Sequence, residues 1–189
     1  NYLYAVDAKT GQQKWKFDSG DDVSSSPSIA NGVLYFGSND NFLYAIVLKT
    51  VELKWKFETG DDIYSSPAVN KGVVYFGSQD SNFYAVNANT GKIKWKFKTG
   101  NAVWTSPYVA GNMVLFGSFD TYLYALDTKT GRQIWNFGTD GYVSSSPSVA
   151  EEVVYFGSWD NYLYAVDIHT GQQQWAFKTE ASVVTSPCI

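Results

Sequence analysis

Between Val33 and Ser38 the chain is apolar at every position but the last two, the pattern of a short strand covered on both faces. A similar run, Phe42 to Leu48, follows a polar turn. From Leu53 to Glu58 the pattern alternates. Leu53, Trp55 and Phe57 fall on one side and Lys54, Lys56 and Glu58 on the other, which predicts an outer strand with one buried face. The stretch before these runs, Ser24 to Ile29, is small and polar, and a fourth strand is expected there, in a crowded place that leaves little room for side chains. No segment shows the 3.6-residue period of a helix, and β-branched and aromatic residues dominate throughout.

The same forty-residue pattern recurs along the whole chain. Trp15, Trp55, Trp95, Trp135 and Trp175 keep one spacing, as do Pro27, Pro67, Pro107, Pro147 and Pro187. The units are 1–20 (partial), 21–60, 61–100, 101–140, 141–180 and 181–189 (partial), without insertions. Four antiparallel strands in about forty residues define a propeller blade. The predicted fold is therefore all-β: one β-propeller domain over 1–189, with about five blades represented. A blade with two apolar faces must stack on its neighbours. The chain begins at the third strand of one unit and ends in the first strand of another. Either a five-bladed ring closes through its two termini or the arc is part of a larger ring.

The hairpin between the third and fourth strands carries the sharpest motif, Ala5-x-Asp7-x-x-Thr10-Gly11-x-x-x-Trp15. Glycine takes the positive φ that closes such a turn, and Asp7 and Thr10 can bond its backbone. The recurrent tryptophans are expected to fill the contacts between blades. The second unit departs most, with Val47 for Asp and Val51 for Gly. A β-branched residue at positive φ is strained, so a turn of different shape is expected there.

Charge and composition narrow the function. Net charge is −4 and the basic residues are scattered singly, so a nucleic-acid backbone is not the expected partner. No apolar run is long enough to insert in a membrane. The start, Asn1-Tyr2-Leu3-Tyr4, has neither an initiator Met nor the marks of a signal peptide, which says little about location. With one cysteine, Cys188, and one histidine, His169, neither a zinc site nor a Cys-His pair is expected.

The motif A-x-D-x-x-T-G-x-x-x-W, repeated at fixed spacing, resembles the pyrroloquinoline-quinone-like repeat of the quinoprotein dehydrogenase superfamily. That resemblance implies a propeller, typically eight-bladed. It also implies membership of a superfamily divided between redox enzymes and non-catalytic scaffolds, among them an outer-membrane assembly lipoprotein and cell-surface proteins. The enzyme branch adds an adjacent Cys-Cys pair, calcium ligands and a catalytic Asp. This chain has no Cys-Cys pair, so no catalytic residue carries over and no cofactor is expected. The resemblance implies an extracytoplasmic place, in the periplasm or at the cell surface.

Comparing the units locates a candidate site. The links from fourth to first strand and from second to third strand share one end of a propeller, and both vary. Ser24 is matched by Tyr64, Trp104, Ser144 and Val184; Asp22 by Asp62, Ala102, Tyr142 and Ser182; Asn39 by Gln79, Phe119 and Trp159. One end thus gathers Tyr64, Trp104, Phe119, Tyr142 and Trp159, and exposed aromatics of this kind anchor protein or carbohydrate partners. The competing explanation is that these rings pack on each other and roof the channel. Asp40, Asp80, Asp120 and Asp160 invite a calcium reading, but each follows a turn serine and a turn-capping role accounts for them. The expectation is a non-catalytic scaffold binding a protein or glycan at that end. The alternatives are a piece of a quinone-dependent dehydrogenase and a recently amplified or engineered array without a ligand.

Overall fold

The computed structural model describes residues 1–189 and contains strands and turns but no helix. A strand pair opens it: β1 (Tyr2–Val6) and β2 (Gln13–Asp18). Four sheets of four antiparallel strands follow, each in sequence order. They are β3 (Ser28–Ala30), β4 (Val33–Gly37), β5 (Phe42–Val47) and β6 (Glu52–Glu58); β7 (Ala68–Asn70), β8 (Val73–Gly77), β9 (Asn82–Asn87) and β10 (Ile93–Lys98); β11 (Tyr108–Ala110), β12 (Met113–Gly117), β13 (Tyr122–Asp127) and β14 (Gln133–Gly138); β15 (Ser148–Ala150), β16 (Val153–Gly157), β17 (Tyr162–Asp167) and β18 (Gln173–Lys178).

The first strands of successive sheets lie against one another, β3 on β7 and β7 on β11, as at the axis of a propeller. The amide of Ser26 reaches Ser66 Oγ, Ser66 reaches Ser106, Ser106 reaches Ser146 and Ser146 reaches Ser186, one hydroxyl per blade step. The hydrophobic core lies between the sheets. Val33, Tyr35 and Leu43 of one blade pack with Val74, Phe76 and Tyr84 of the next, and the pattern continues blade by blade. The molecule is a partial β-propeller of about five blades.

The second, third and fourth strands lie where the apolar pattern put them, within a residue or two. The first does not: it covers Ser28–Ala30, not Ser24 to Ile29. Pro27 has no amide to offer a ladder. Ser25 Oγ takes the amide of Gly37 at 2.7 Å and donates to its carbonyl at 2.9 Å, so side-chain bonds stand in for a strand. Leu53, expected to face inward, is 47% exposed. A bulge between Ala45 and Ile46 breaks the alternation, so Leu53 leaves the side shared by Trp55 and Phe57.

The turn at Val51 corrects another expectation. Val51 holds φ 59°, close to the 71° of Gly11, and its amide bonds the Val47 carbonyl as that of Gly11 bonds Asp7. The turn keeps its shape although a β-branched residue occupies the left-handed position. Strand pairing on both sides fixes the hairpin more firmly than one residue's preference opposes it.

The termini do not pair, and the ring is open. Tyr4 and Val6 on β1 are 55% and 57% exposed, while Tyr44 and Ile46 at the matching places on β5 are 6% and 0%. Tyr44 and Ile46 pack against Leu3, Trp15 and Phe17 of the hairpin before them, and the structure holds no blade on that side of Tyr4 and Val6.

Candidate functional site

The two variable links of each unit are tied by a constant backbone bond. The amide of Asn39 donates to the Asp22 carbonyl, Gln79 to Asp62, Phe119 to Ala102 and Trp159 to Tyr142, at 2.9–3.0 Å. One scaffold position thus holds the residues of both varying columns side by side, whatever they are. Beneath it, the second link folds over the end of the second strand. A Cβ on Gly77 would lie 2.3 Å from a Val103 methyl and 2.5 Å from its carbonyl oxygen, so only glycine fits at the Phe-Gly-Ser sequence.

On this frame the five aromatic residues singled out above form one continuous chain of rings. Tyr64 lies 5.2 Å from Trp104, Trp104 4.4 Å from Phe119, Phe119 5.0 Å from Tyr142 and Tyr142 5.5 Å from Trp159, centroid to centroid. The rings do pack on each other, yet Trp104, Tyr142 and Trp159 keep 41%, 41% and 46% of their surface exposed. Trp159 Nε1 donates to Ser144 Oγ at 2.8 Å, which fixes the ring's tilt. At the other end of the chain of rings, the Tyr64 hydroxyl donates to Asp62 at 3.1 Å, and Gln79 donates to the same carboxylate. Burial, followed by that bond to Asp62, raises the hydroxyl's pKa.

The ring of Asp40, Asp80, Asp120 and Asp160 is occupied by bonds within the protein. One oxygen of Asp120 accepts the Tyr122 amide; the other accepts the Gly100 amide at 2.7 Å and the Tyr124 hydroxyl at 2.8 Å. Asp80 and Asp160 repeat the arrangement. Because the amide comes from the preceding blade, Asp80, Asp120 and Asp160 each tie two blades together, whereas the Gly20 amide beside Asp40 bonds Asp18 instead. Burial and the aspartate bond push the hydroxyls of Tyr44, Tyr84, Tyr124 and Tyr164 far up, so they stay protonated donors. Sequence comparison missed these tyrosines, although the fixed Asp-x-x-x-Tyr spacing signals them. Nowhere do three His, Cys, Asp or Glu side chains gather as metal ligands. His169 is exposed, 3.6 Å from Glu152.

The recurrent tryptophans point from each blade to the next. Trp55, Trp95 and Trp135 donate through Nε1 to the carbonyls of Ala88, Thr128 and Ile168 at 3.1, 3.0 and 2.8 Å. Each indole lies flat against the glycine of the following Thr-Gly turn: a Cβ on Gly131 would stand 2.6 Å from Trp95. Trp15 faces Val51 in place of glycine and packs there among Leu48 and other apolar groups. Trp175 has no following blade and is 42% exposed. A cavity of about 260 Å³ lies at the end remote from the aromatic chain, lined in part by Asn70, Lys71, Lys94, Asn112 and Lys129.

Stacked four-stranded blades, an indole between each pair and turns of fixed chemistry define a pyrroloquinoline-quinone-like repeat propeller. Residues 1–103 and 98–187 match the family profile described as outer membrane protein assembly factor BamB, and the chain belongs to that family. Among solved structures it resembles BamB from Moraxella catarrhalis, with a TM-score of 0.82 and 20% identity over 93% of this chain and 55% of that one. It also resembles the quinohemoprotein alcohol dehydrogenase ADHIIG from Pseudomonas putida HK5, with a TM-score of 0.85 and 20% identity over 94% of this chain and 39% of that one. A third likeness is the computationally designed Ika8 protein, with a TM-score of 0.83 and 20% identity over 94% of this chain and 56% of that one. The chain therefore spans about half the length of these structures or less, and at such identity they share its fold. No curated protein matches the sequence.

Proposed function

We propose that this chain is a non-catalytic, extracytoplasmic scaffold. Its tryptophans clamp the blades together, and it binds a protein partner through the rim of Tyr64, Trp104, Phe119, Tyr142 and Trp159. One observation carries the reading: five aromatic residues, each from a different variable link, meet in a single partly exposed chain of rings. Aromatic anchors that are rigid and half in water are the residues that dominate protein contacts. The family description, an outer membrane assembly factor, supports a protein partner and a place outside the cytoplasm. The kinship with quinoprotein dehydrogenases is one of fold, and the side chains here do not suit a quinone and its calcium. The ring of aspartates is spent on amide and hydroxyl donors, and the single cysteine, Cys188, has no neighbouring cysteine.

Replacing Trp104 and Trp159 together by alanine tests the reading. Partner capture is expected to fall to background, with a modest stability loss of about 1 kcal/mol per ring, because each ring is only partly exposed and gives up contacts with its neighbours. Loss of several kcal/mol of stability would show that the two rings are core and would sink the rim.

A further inference from the structure

The end that carries the aromatic chain also has a one-sided charge. Its links, 19–27 and 38–41 with their equivalents in each later unit, contain Asp21, Asp22, Asp61, Asp62, Asp140 and Glu180 beside the four half-buried aspartates, and no Lys or Arg of their own; Lys98, at the end of β10, reaches in to donate to the Asp80 carbonyl at 3.1 Å. The turns of the opposite end are mixed in sign: Lys9, Lys49, Lys71, Lys92, Lys129 and Arg132 lie there together with Asp7, Glu151 and Glu152. The molecule, at −4 overall, is thus polarised along its axis, and the aromatic rim sits in the negative half. Asp61 and Asp62 adjoin the rim at Tyr64, where Asp62 is bonded to the hydroxyl and Asp61 and Asp21 bear on it through space. Asp140 stands two residues before Tyr142, at the other part of the rim. None of these six exposed or half-exposed acids makes a salt bridge with a Lys or Arg side chain.

We infer that the partner's contacting element is a basic polypeptide segment, its Arg or Lys side chains laid over Trp104 and Trp159 and drawn in by Asp61, Asp62 and Asp140. A cation over an indole face is attracted by the ring, and most strongly so where neighbouring carboxylates add to the field. The same surface repels nucleic acid and acidic lipid. A neutral glycan would stack on the rings equally well but would make no use of the charge. This inference rests on the rim being a binding face and adds what the face selects.

The test uses the 189-residue chain and three probes: an Arg-Gly-Ser repeat peptide of twelve residues, the same peptide with Glu for Arg, and a neutral β-linked glucose hexasaccharide. Binding is followed by calorimetry at low salt and at a salt concentration several-fold higher. The Arg peptide is expected to bind, to weaken about tenfold or more at high salt, and to weaken several-fold in Asp61→Asn/Asp62→Asn. In Trp104→Ala/Trp159→Ala it is expected to lose binding. Asparagine keeps an acceptor oxygen for the Asp62 amide at position 61 and for Tyr64 and Gln79 at position 62, so this variant keeps its fold if the Trp variant proves unstable. Binding of the Glu peptide, or of the Arg peptide without salt dependence, overturns the inference. Hexasaccharide binding at the rim with no Arg-peptide binding overturns it too but leaves the rim standing as a glycan face. Failure of all three probes also overturns it; the rim itself falls only if the tryptophan variant loses its fold stability.

Discussion

Trp135 and Trp175 occupy the same position of the same motif, and they should respond very differently to alanine. Trp135 is 7% exposed, lies against Gly171 and donates to the Ile168 carbonyl at 2.8 Å. Removing it empties a space between two blades and leaves a carbonyl without its donor. Truncating a buried tryptophan costs about 3–5 kcal/mol, of which the lost hydrogen bond accounts for about 1 kcal/mol. For a chain of this size, about 4 kcal/mol lowers the melting temperature by roughly 8–16 °C. Trp175 has no blade beyond it and is 42% exposed, so Trp175→Ala should cost under about 1 kcal/mol. Trp135→Phe should fall between the two, because it keeps most of the apolar contact and loses the indole N–H. Melting followed by tryptophan fluorescence and circular dichroism gives the comparison. Equal losses at Trp135 and Trp175 would refute the claim that the indoles act by clamping the following blade.

The glycine that receives each indole separates contact from backbone strain. Gly131→Ala sets a Cβ 2.6 Å from Trp95 at φ +68°, whereas Gly11→Ala at φ +71° meets nothing within 4 Å. Both substitutions bear the left-handed cost of about 1–2 kcal/mol, and only Gly131→Ala should add about 1–3 kcal/mol of crowding; matching melting curves would refute the stacking. Asp80 gives a pH signature. Burial raises its pKa, but the Tyr84 hydroxyl, the Gly60 amide and Asn82 lower it further, and the balance lies below the ordinary carboxylate value. A depressed folded pKa stabilises at pH above the unfolded value near 4, and that stabilisation is lost as pH falls through the folded value. Wild type should therefore exceed Asp80→Asn in melting temperature at neutral pH by a margin that shrinks toward pH 3; a constant margin would contradict the account.

The sequence makes the blades legible because their apolar runs are short, uniform and separated by turns at one spacing. Comparison between units also singles out Tyr64, Trp104, Phe119, Tyr142 and Trp159, since a scaffold that repeats leaves its varying columns visible. What the pattern hides is bonding by side chains. Ser25 serves the Gly37 backbone in place of a ladder, which no polarity pattern reveals. The bulge that turns Leu53 outward leaves no mark in an alternating sequence. The turn at Val51 reads as strained by residue type, yet the two strands around it impose its φ. The polarity of the molecule emerges only once the links are sorted by the end on which they lie.

Seven tryptophans allow one spectrum to separate scaffold from site. In a two-dimensional proton–nitrogen spectrum of the indole N–H groups, addition of the Arg-Gly-Ser peptide should move the Trp104 and Trp159 signals. The signals of Trp55, Trp95 and Trp135, each held by a carbonyl of the next blade, should stay in place. Movement of the interblade signals with the rim signals still would contradict both the clamp and the binding face.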